Sequence, residues 1–228
     1  MSIFLLVKRL KSCVKFVKII NENIWIEKRG KIMFQNFDGG YIEVVCGPMF
    51  AGKTEELIRR IKRLEYAKQS YIIFKPKIDG RYGDNVIQSH NNNRREAVNI
   101  EKAREIYTHL KDKTVEVIII DEAQFFDEEL PDVVDDLADQ GYRVIVGGLD
   151  RNFRGEPFGT MPEILALAEV VTKLTAICPV SGKPATRTQR IIDGKPAHYN
   201  DPLVLIDAEE SYEPRSRAQH IVPGKKKK

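Results

Sequence analysis

Residues 41–54 read YIEVVCGPMFAGKT. A run of β-formers from Tyr41 to Cys46 leads into Gly47, Pro48, Met49, Phe50, Ala51, Gly52, Lys53 and Thr54, and a helical pattern follows. This is G-x-x-x-x-G-K-[ST] in the context it needs, with a strand before it and a helix after. The glycines let the backbone wrap closely around phosphate oxygens with its N–H groups turned inward. Lys53 would reach the outer phosphates as a cation, and the Thr54 hydroxyl would ligate Mg²⁺. At average composition the bare pattern arises by chance in about one chain in a hundred of this length. With strand and helix in place, an ordinary glycine turn is the weaker reading. The stretch predicts a nucleoside triphosphate site.

Downstream, Leu57, Ile58, Ile61 and Leu64 recur at helical spacing. Tyr71, Ile72, Ile73 and Phe74 make a short apolar run, read as a buried strand that ends at Lys75-Pro76-Lys77. Residues 78–93 are polar, with two glycines and three consecutive asparagines, and read as a loop. A helix is expected over 101–110. The most hydrophobic run, 115–120, reads as a buried parallel strand. A helix over 127–140 ends at Gly141, and a strand over 142–146, a helix over 163–170 and a strand over 174–178 follow. This alternation predicts an α/β domain of RecA-like P-loop type with a mostly parallel sheet. Beyond Cys178 the character changes. Residues 186–192 and 203–206 read as short strands separated by turn signals at Asp193-Gly194 and Asn200-Asp201-Pro202. The expected organisation is a basic extension over 1–39, the P-loop domain over 40–177, a small β subdomain over 178–222 and a disordered basic tail over 223–228.

Composition sets bounds on this reading. With 228 residues, 42% hydrophobic and 31% charged, the chain can build a full core as one domain with appendages. No apolar run approaches the ~20 residues of a membrane span, so no membrane association is expected. Cys13, Cys46 and Cys178 form no C-x-x-C pair, which argues against a disulfide framework and a self-evident zinc site and fits a reducing cytoplasm. The net charge of +4 is unevenly spread. Residues 1–32 hold eight Lys/Arg against two Glu, and 225–228 are all lysine, which leaves 25 basic and 31 acidic groups over 33–224. A nucleic-acid footprint belongs on the folded domain, and an acidic domain argues against one.

The apolar stretch 3–7 is too short for a secretory segment and is broken at once by Lys8 and Arg9. An amphipathic surface helix is the alternative. The preferred reading of 1–32 is a disordered extension, or translated sequence upstream of a start at Met33. Deleting 1–32 should therefore leave melting temperature and activity nearly unchanged; a marked loss of either, or delivery to a membrane or organelle by the segment, overturns that expectation.

At the end of the 115–120 run stand Asp121, Glu122, Ala123, Gln124, Phe125 and Phe126. An acid at the carboxyl end of a buried strand, about 65 residues beyond a P-loop, occupies the position that holds Mg²⁺ directly or through water. Glu122 would project into the same crevice, where a carboxylate can accept a proton from an attacking hydroxyl. A solvated loop acid ranks below that reading. For the neighbouring aromatics, ordinary core packing is the competing account.

Taken together, GPMFAGKT, KPKIDGRY at 75–82, DEAQFF at 121–126, GLD at 148–150, FRGEPFG at 153–159 and KLTAIC at 173–178 resemble the type II thymidine kinases. The likeness runs in that family's order and spacing over about 40–224. It implies that residues 47–54, with Asp121, Glu122, Ala123 and Gln124, bind ATP, and that Thr54 and Asp121 hold Mg²⁺. It implies Glu122 as general base toward a 5′-hydroxyl, with Lys53 and Arg81 beside the phosphates and Asp79 in the same D-x-R. Met49, Phe125, Leu149, Phe153 and Phe158 match positions lining the nucleoside pocket. Thr188 and Tyr212 fall where the family's lasso loop closes over the base. The implied reaction is transfer from ATP to thymidine, with deoxyuridine as a further acceptor, in a homotetramer for which dTTP is a candidate feedback ligand. The rival from another class is a P-loop ATPase of RecA-like type stimulated by nucleic acid.

One departure from the family is plain. Its structural zinc rests on four cysteines, and here the first pair reads Cys178-Pro179-Val180-Ser181 and the second Ser216-Arg217-Ala218-Gln219. Only Cys178 remains of the four. Hydroxyl and amide groups are poor Zn²⁺ ligands beside thiolate, so no structural zinc is expected, and the alternative of Cys178 with His198 and His220 is less favoured.

Overall fold

The strand that leads into the glycine loop is buried along its whole length, because it lies inside a sheet covered on both faces. The computed structural model describes residues 37–77, 86–88, 94–111, 113–203 and 210–226, and Gly39–Lys228 forms one unit of the chain. The extension 1–32 lies outside the described residues. In chain order the elements are β1 (Tyr41–Cys46), α1 (Lys53–Ala67), β2 (Tyr71–Pro76), β3 (Val86–Gln88), β4 (Arg94–Glu96), β5 (Val98–Ile100), α2 (Glu105–Leu110) and β6 (Val117–Ile120). Then come α3 (Leu130–Asp139), β7 (Arg143–Gly148), α4 (Met161–Leu167) and β8 (Val170–Lys173). Six strands form one sheet in the order β5-β2-β6-β7-β1-β8, and every pairing is parallel. The strand carrying the glycine loop and the strand carrying Asp121 are separated by β7. This is an α/β fold of RecA-like type.

The two-residue period of the strands divides the core. Ile42, Val44, Cys46, Ile118, Ile120, Val144 and Val146 face one way, where α2, α3 and α4 supply Ile106, Leu110, Leu130, Val133, Val134, Leu137, Met161 and Ile164. Val45, Ile73, Val117, Ile119 and Ile145 face the other, covered by Leu57, Ile58, Ile61 and Leu64 of α1. Each isoleucine of β6 so enclosed contributes about 1.5–3 kcal/mol relative to an exposed one. Burial on both faces explains why these strands read as unbroken apolar runs.

Glu43 breaks that rule. It stands in the middle of β1 and is buried, on the same side as α1. Arg60 of α1 donates to its Oε2 through Nη1, and Arg143 reaches its Oε1 at 2.7 Å from Nε and 2.6 Å from Nη2. Arg60 also bonds Glu56 at 3.0 Å and the Thr172 hydroxyl at 2.8 Å. A buried carboxylate is tolerated because two guanidinium groups meet it.

The remaining strands form smaller sheets. β9 (Ala176–Ile177) pairs with β10 (Pro184–Ala185). β11 (Arg187–Ile192) lies between β12 (Lys195–Pro196) and β13 (Glu210–Arg215), antiparallel to both. Both ends of the Gln189 side-chain amide clasp the backbone of Ile221, its Nε2 donating to the carbonyl at 2.9 Å and its Oε1 accepting the N–H at 2.9 Å.

Several elements differ from expectation. Within 78–93, residues 86–88 form β3, paired antiparallel with β4; the polar sequence hid it. The helix expected over 163–170 stops at Leu167, and Val170–Lys173 is instead the sheet edge, parallel to β1. The strand expected over 174–178 shrinks to Ala176–Ile177 and joins the small β9–β10 pair, not the main sheet. Of the strand expected over 203–206, residues 204–206 lie outside the described residues. The tail from 223 is held in part: the Pro223 carbonyl accepts the Tyr199 N–H at 2.8 Å, and Lys225 donates to the Arg154 carbonyl.

Candidate functional site

The turn between β1 and α1 opens at the carboxyl edge of the sheet, where parallel strands leave room for ligands. Gly52 caps α1 with φ 81, a left-handed conformation that costs glycine little. Phe50 also adopts positive φ, 63, and its ring is exposed. The Lys53 ammonium donates to the Pro48 carbonyl at 3.0 Å, folding back over the loop. Burial holds that ammonium below its usual range, while Glu122, Asp121 and Asp150 pull it back upward. The loop carries a cation folded onto one of its own carbonyls and no carboxylate of its own.

Three acids converge from two other strands. Asp121 follows β6, and its backbone N–H is anchored on the Phe74 carbonyl at 3.0 Å. Its Oδ1 accepts the Glu122 N–H at 2.9 Å. Burial first, and then the adjacent Glu122 carboxylate, push the Asp121 carboxyl well above the ordinary carboxylate range, against Lys75 and Lys53. Glu122 sits at φ 54, a conformation that costs a non-glycine residue about 1–3 kcal/mol. Asp150 follows β7, is buried, and pairs with Lys173 of β8 at 2.7 Å. Gln124, in the 3-10 turn Ala123–Phe125, donates from Nε2 to Glu122 Oε2 at 2.5 Å and accepts the Leu149 N–H on Oε1 at 2.8 Å.

The donor chemistry fits a magnesium ion. A threonine hydroxyl at the start of α1 and a carboxylate whose burial disfavours its charge are hard oxygen ligands, and Mg²⁺ is commonly held by one or two such groups together with waters and phosphates. The fit to zinc is different. Cys178 is buried beside the turn to Ser181, with Ser216 close by. Burial pushes its thiol up, but the neighbouring Ser181 hydroxyl and the backbone of Ser216, Ser181 and Val180 bring it down to about 6. One thiolate with two hydroxyls and an amide is not a zinc donor set. Among the described residues, no group of three or more His, Cys, Asp or Glu is placed to hold a metal.

The residues matched to a nucleoside pocket are gathered only in part. The Thr188 hydroxyl of β11 accepts the Met49 N–H at 3.0 Å, which ties the small sheet to the glycine loop across 139 residues of sequence. The rings of Phe125 and Phe158 meet edge to face, 5.4 Å between centroids. Leu149 is buried and joined to the acids through Gln124. Phe153 is instead stacked under cations, with the Arg190 guanidinium 5.0 Å and that of Arg154 5.4 Å from its centroid. Its carbonyl lies 2.8 Å from His220 Nε2. Tyr212 of β13 stands opposite Arg190 across the ladder. Asp79 and Arg81 lie outside the described residues.

Sequence reasoning missed Asp150 and Lys173 as members of the charged cluster, and Arg190 as a buried cation. The first two lie within the quoted GLD and KLTAIC stretches, so the motifs marked the place but not the pairing. Nothing local marks Arg190.

The family described as thymidine kinase matches residues 40–220. Two solved structures are similar at low identity. The ATPase DotB of Legionella pneumophila aligns with 15% identity over 65% of this chain and 44% of its own, at a TM-score of 0.39. The genome packaging NTPase B204 of Sulfolobus turreted icosahedral virus 2, solved in complex with sulfate, aligns with 19% identity over 63% of this chain and 78% of its own, at a TM-score of 0.42. The chain thus spans less than half the length of DotB. Among the described residues no helix is long and apolar enough to cross a membrane.

Proposed function

The chain belongs to the thymidine kinase family, and on that premise we propose that it transfers the γ-phosphoryl group of ATP to the 5′-hydroxyl of thymidine, with deoxyuridine as a second acceptor. The observation that carries this reading is the convergence of Lys53, Asp121 and Glu122, close enough for the two carboxylates to act on the Lys53 ammonium. Phosphoryl transfer needs charge neutralised on the moving group and a nucleophile held in line, with little covalent work from the protein. Lys53 and the N–H groups of 47–54 answer the first need. Thr54 and Asp121 would hold Mg²⁺, which supplies further positive charge at the phosphates when bound. Glu122 accepts the proton as the 5′-oxygen bonds to phosphorus and the bond to the ADP oxygen breaks. Met49, Thr188, Leu149, Phe125 and Phe158 form the nucleoside side of the site, with Phe153 and Tyr212 as further walls and Ala123 beside the nucleotide. Arg81 and Asp79 belong to the same proposal through the family's D-x-R.

The test is a coupled kinase assay against a nucleoside panel with ATP and Mg²⁺, with a DNA-stimulated ATPase arm. Thymidine-dependent ADP release supports the kinase. Turnover that responds to DNA and ignores nucleosides overturns it. Homotetrameric assembly, feedback by dTTP and a cytoplasmic location complete the proposal.

The same reading extends to the lasso. Purified protein should contain far less than one zinc per chain, and chelators should leave activity intact when Mg²⁺ is kept in excess. Stoichiometric zinc by metal analysis, with activity lost on stripping it, would show that Cys178 and the histidines rebuild a site.

A further inference from the structure

Gln124 is 3% exposed, and a buried side-chain amide has to satisfy both its ends. The Leu149 N–H can only donate, so the group facing it at 2.8 Å must be the amide oxygen. That fixes the other end as Nε2, a donor, and it points at Glu122 Oε2, 2.5 Å away. The orientation of the amide therefore follows from the chemistry of its partners. Lys53, the nearby cation, donates to the Pro48 carbonyl at 3.0 Å. Gln124 is thus a side-chain donor on the Glu122 carboxylate. The space for it is made by Gly148, where a Cβ would come within 2.8 Å of Gln124 Oε1 and 2.7 Å of Met161 Sδ.

We propose that Gln124 is a positioning residue: its amide bridges the end of β7 to the Glu122 carboxylate and holds that carboxylate in the orientation from which it takes the proton of the acceptor hydroxyl. The inference rests on the reading of Glu122 as general base. It assigns Gln124 a task in proton transfer in place of contact with the nucleotide. The lever is Leu149, whose N–H is the fixed point and whose side chain belongs to the nucleoside wall, so the base is aligned from the same strand end that walls the acceptor. Glu122 stands in a bend outside the regular elements, with its backbone in the left-handed region, so the Gln124 bond is a constraint that helix or strand packing does not supply there.

The experiment is steady-state kinetics of thymidine phosphorylation on the full chain carrying Gln124→Met, Gln124→Glu, Glu122→Gln and the double change Glu122→Gln with Gln124→Met. Gln124→Met keeps length and volume and loses both polar ends. Misplacing a catalytic group by about an ångström costs on the order of 100-fold, so kcat should fall about 10–100-fold with KM for ATP changed less than about threefold. Gln124→Glu keeps the shape and the acceptor for Leu149 but sets a second carboxylate against Glu122, and kcat should fall comparably. In the Glu122→Gln background, Gln124→Met should cost less than about twofold more, because the group it orients is already disabled. Equal losses in both backgrounds mean that Gln124 only supports the fold, and overturn the proposal. So does retention of kcat within about threefold in Gln124→Met, or failure of both Gln124 variants to fold as read by melting. A wild-type chain that phosphorylates no nucleoside overturns the kinase reading itself, and this inference with it; an active wild type with an indifferent Gln124 overturns this inference alone.

Discussion

Glu122→Gln should lower kcat for thymidine phosphorylation by about 10²–10⁴-fold while ATP binding is retained. The substitution keeps the size of the side chain and removes its basicity. The backbone of the site should survive it, since the Glu122 N–H bond to Asp121 Oδ1 does not involve the side chain. The glycine loop also stays as it is, because Lys53 is braced on Pro48. The loss therefore falls on the chemical step. Turnover measured beside the thermal shift produced by ATP separates the two effects, and a variant with near-wild-type kcat would remove Glu122 from the role of base.

The second large effect concerns stability. Glu43→Ala should destabilise the domain by about 3–5 kcal/mol, the range for removing one partner of a buried ion pair. Glu43 is the common acceptor for Arg60 and Arg143, and both guanidinium groups are largely enclosed, at 10% and 16% side-chain exposure. Without the carboxylate they remain desolvated with less compensation. Adding Arg60→Met to Glu43→Ala should cost less than the sum of the single changes, because the two residues act as one unit. Urea unfolding of the single and double variants measures this. A loss under 1 kcal/mol for Glu43→Ala would show that water reaches the site and that the pair is a surface interaction.

The sequence by itself determined whatever depends on near neighbours in the chain. The glycine loop needed only its own spacing and the patterns flanking it. The α1 stripe of Leu57, Ile58, Ile61 and Leu64 needed only the helical period, and β6 needed only an apolar run. An acid at the end of that run marked the carboxyl edge of the sheet, because a strand buried on both faces places a charge most readily where it emerges, and inside the sheet only against opposite charges, as Glu43 does. The family likeness then supplied roles that spacing alone does not contain.

Tertiary structure decided what depends on which distant segments meet. Val170 reads in isolation as the end of the helix begun at 163, and Val170–Lys173 becomes a strand because the free edge of β1 offers it a hydrogen-bonded ladder. Glu43 looks like an interruption in an apolar strand until Arg60 and Arg143 arrive from 17 and 100 residues away. The Met49 N–H to Thr188 and the Leu149 N–H to Gln124 join parts of the site that carry no signal of one another. Hydrogen bonds and ion pairs of this kind are set by the packing of whole elements, and a pattern read along a few residues does not contain that packing.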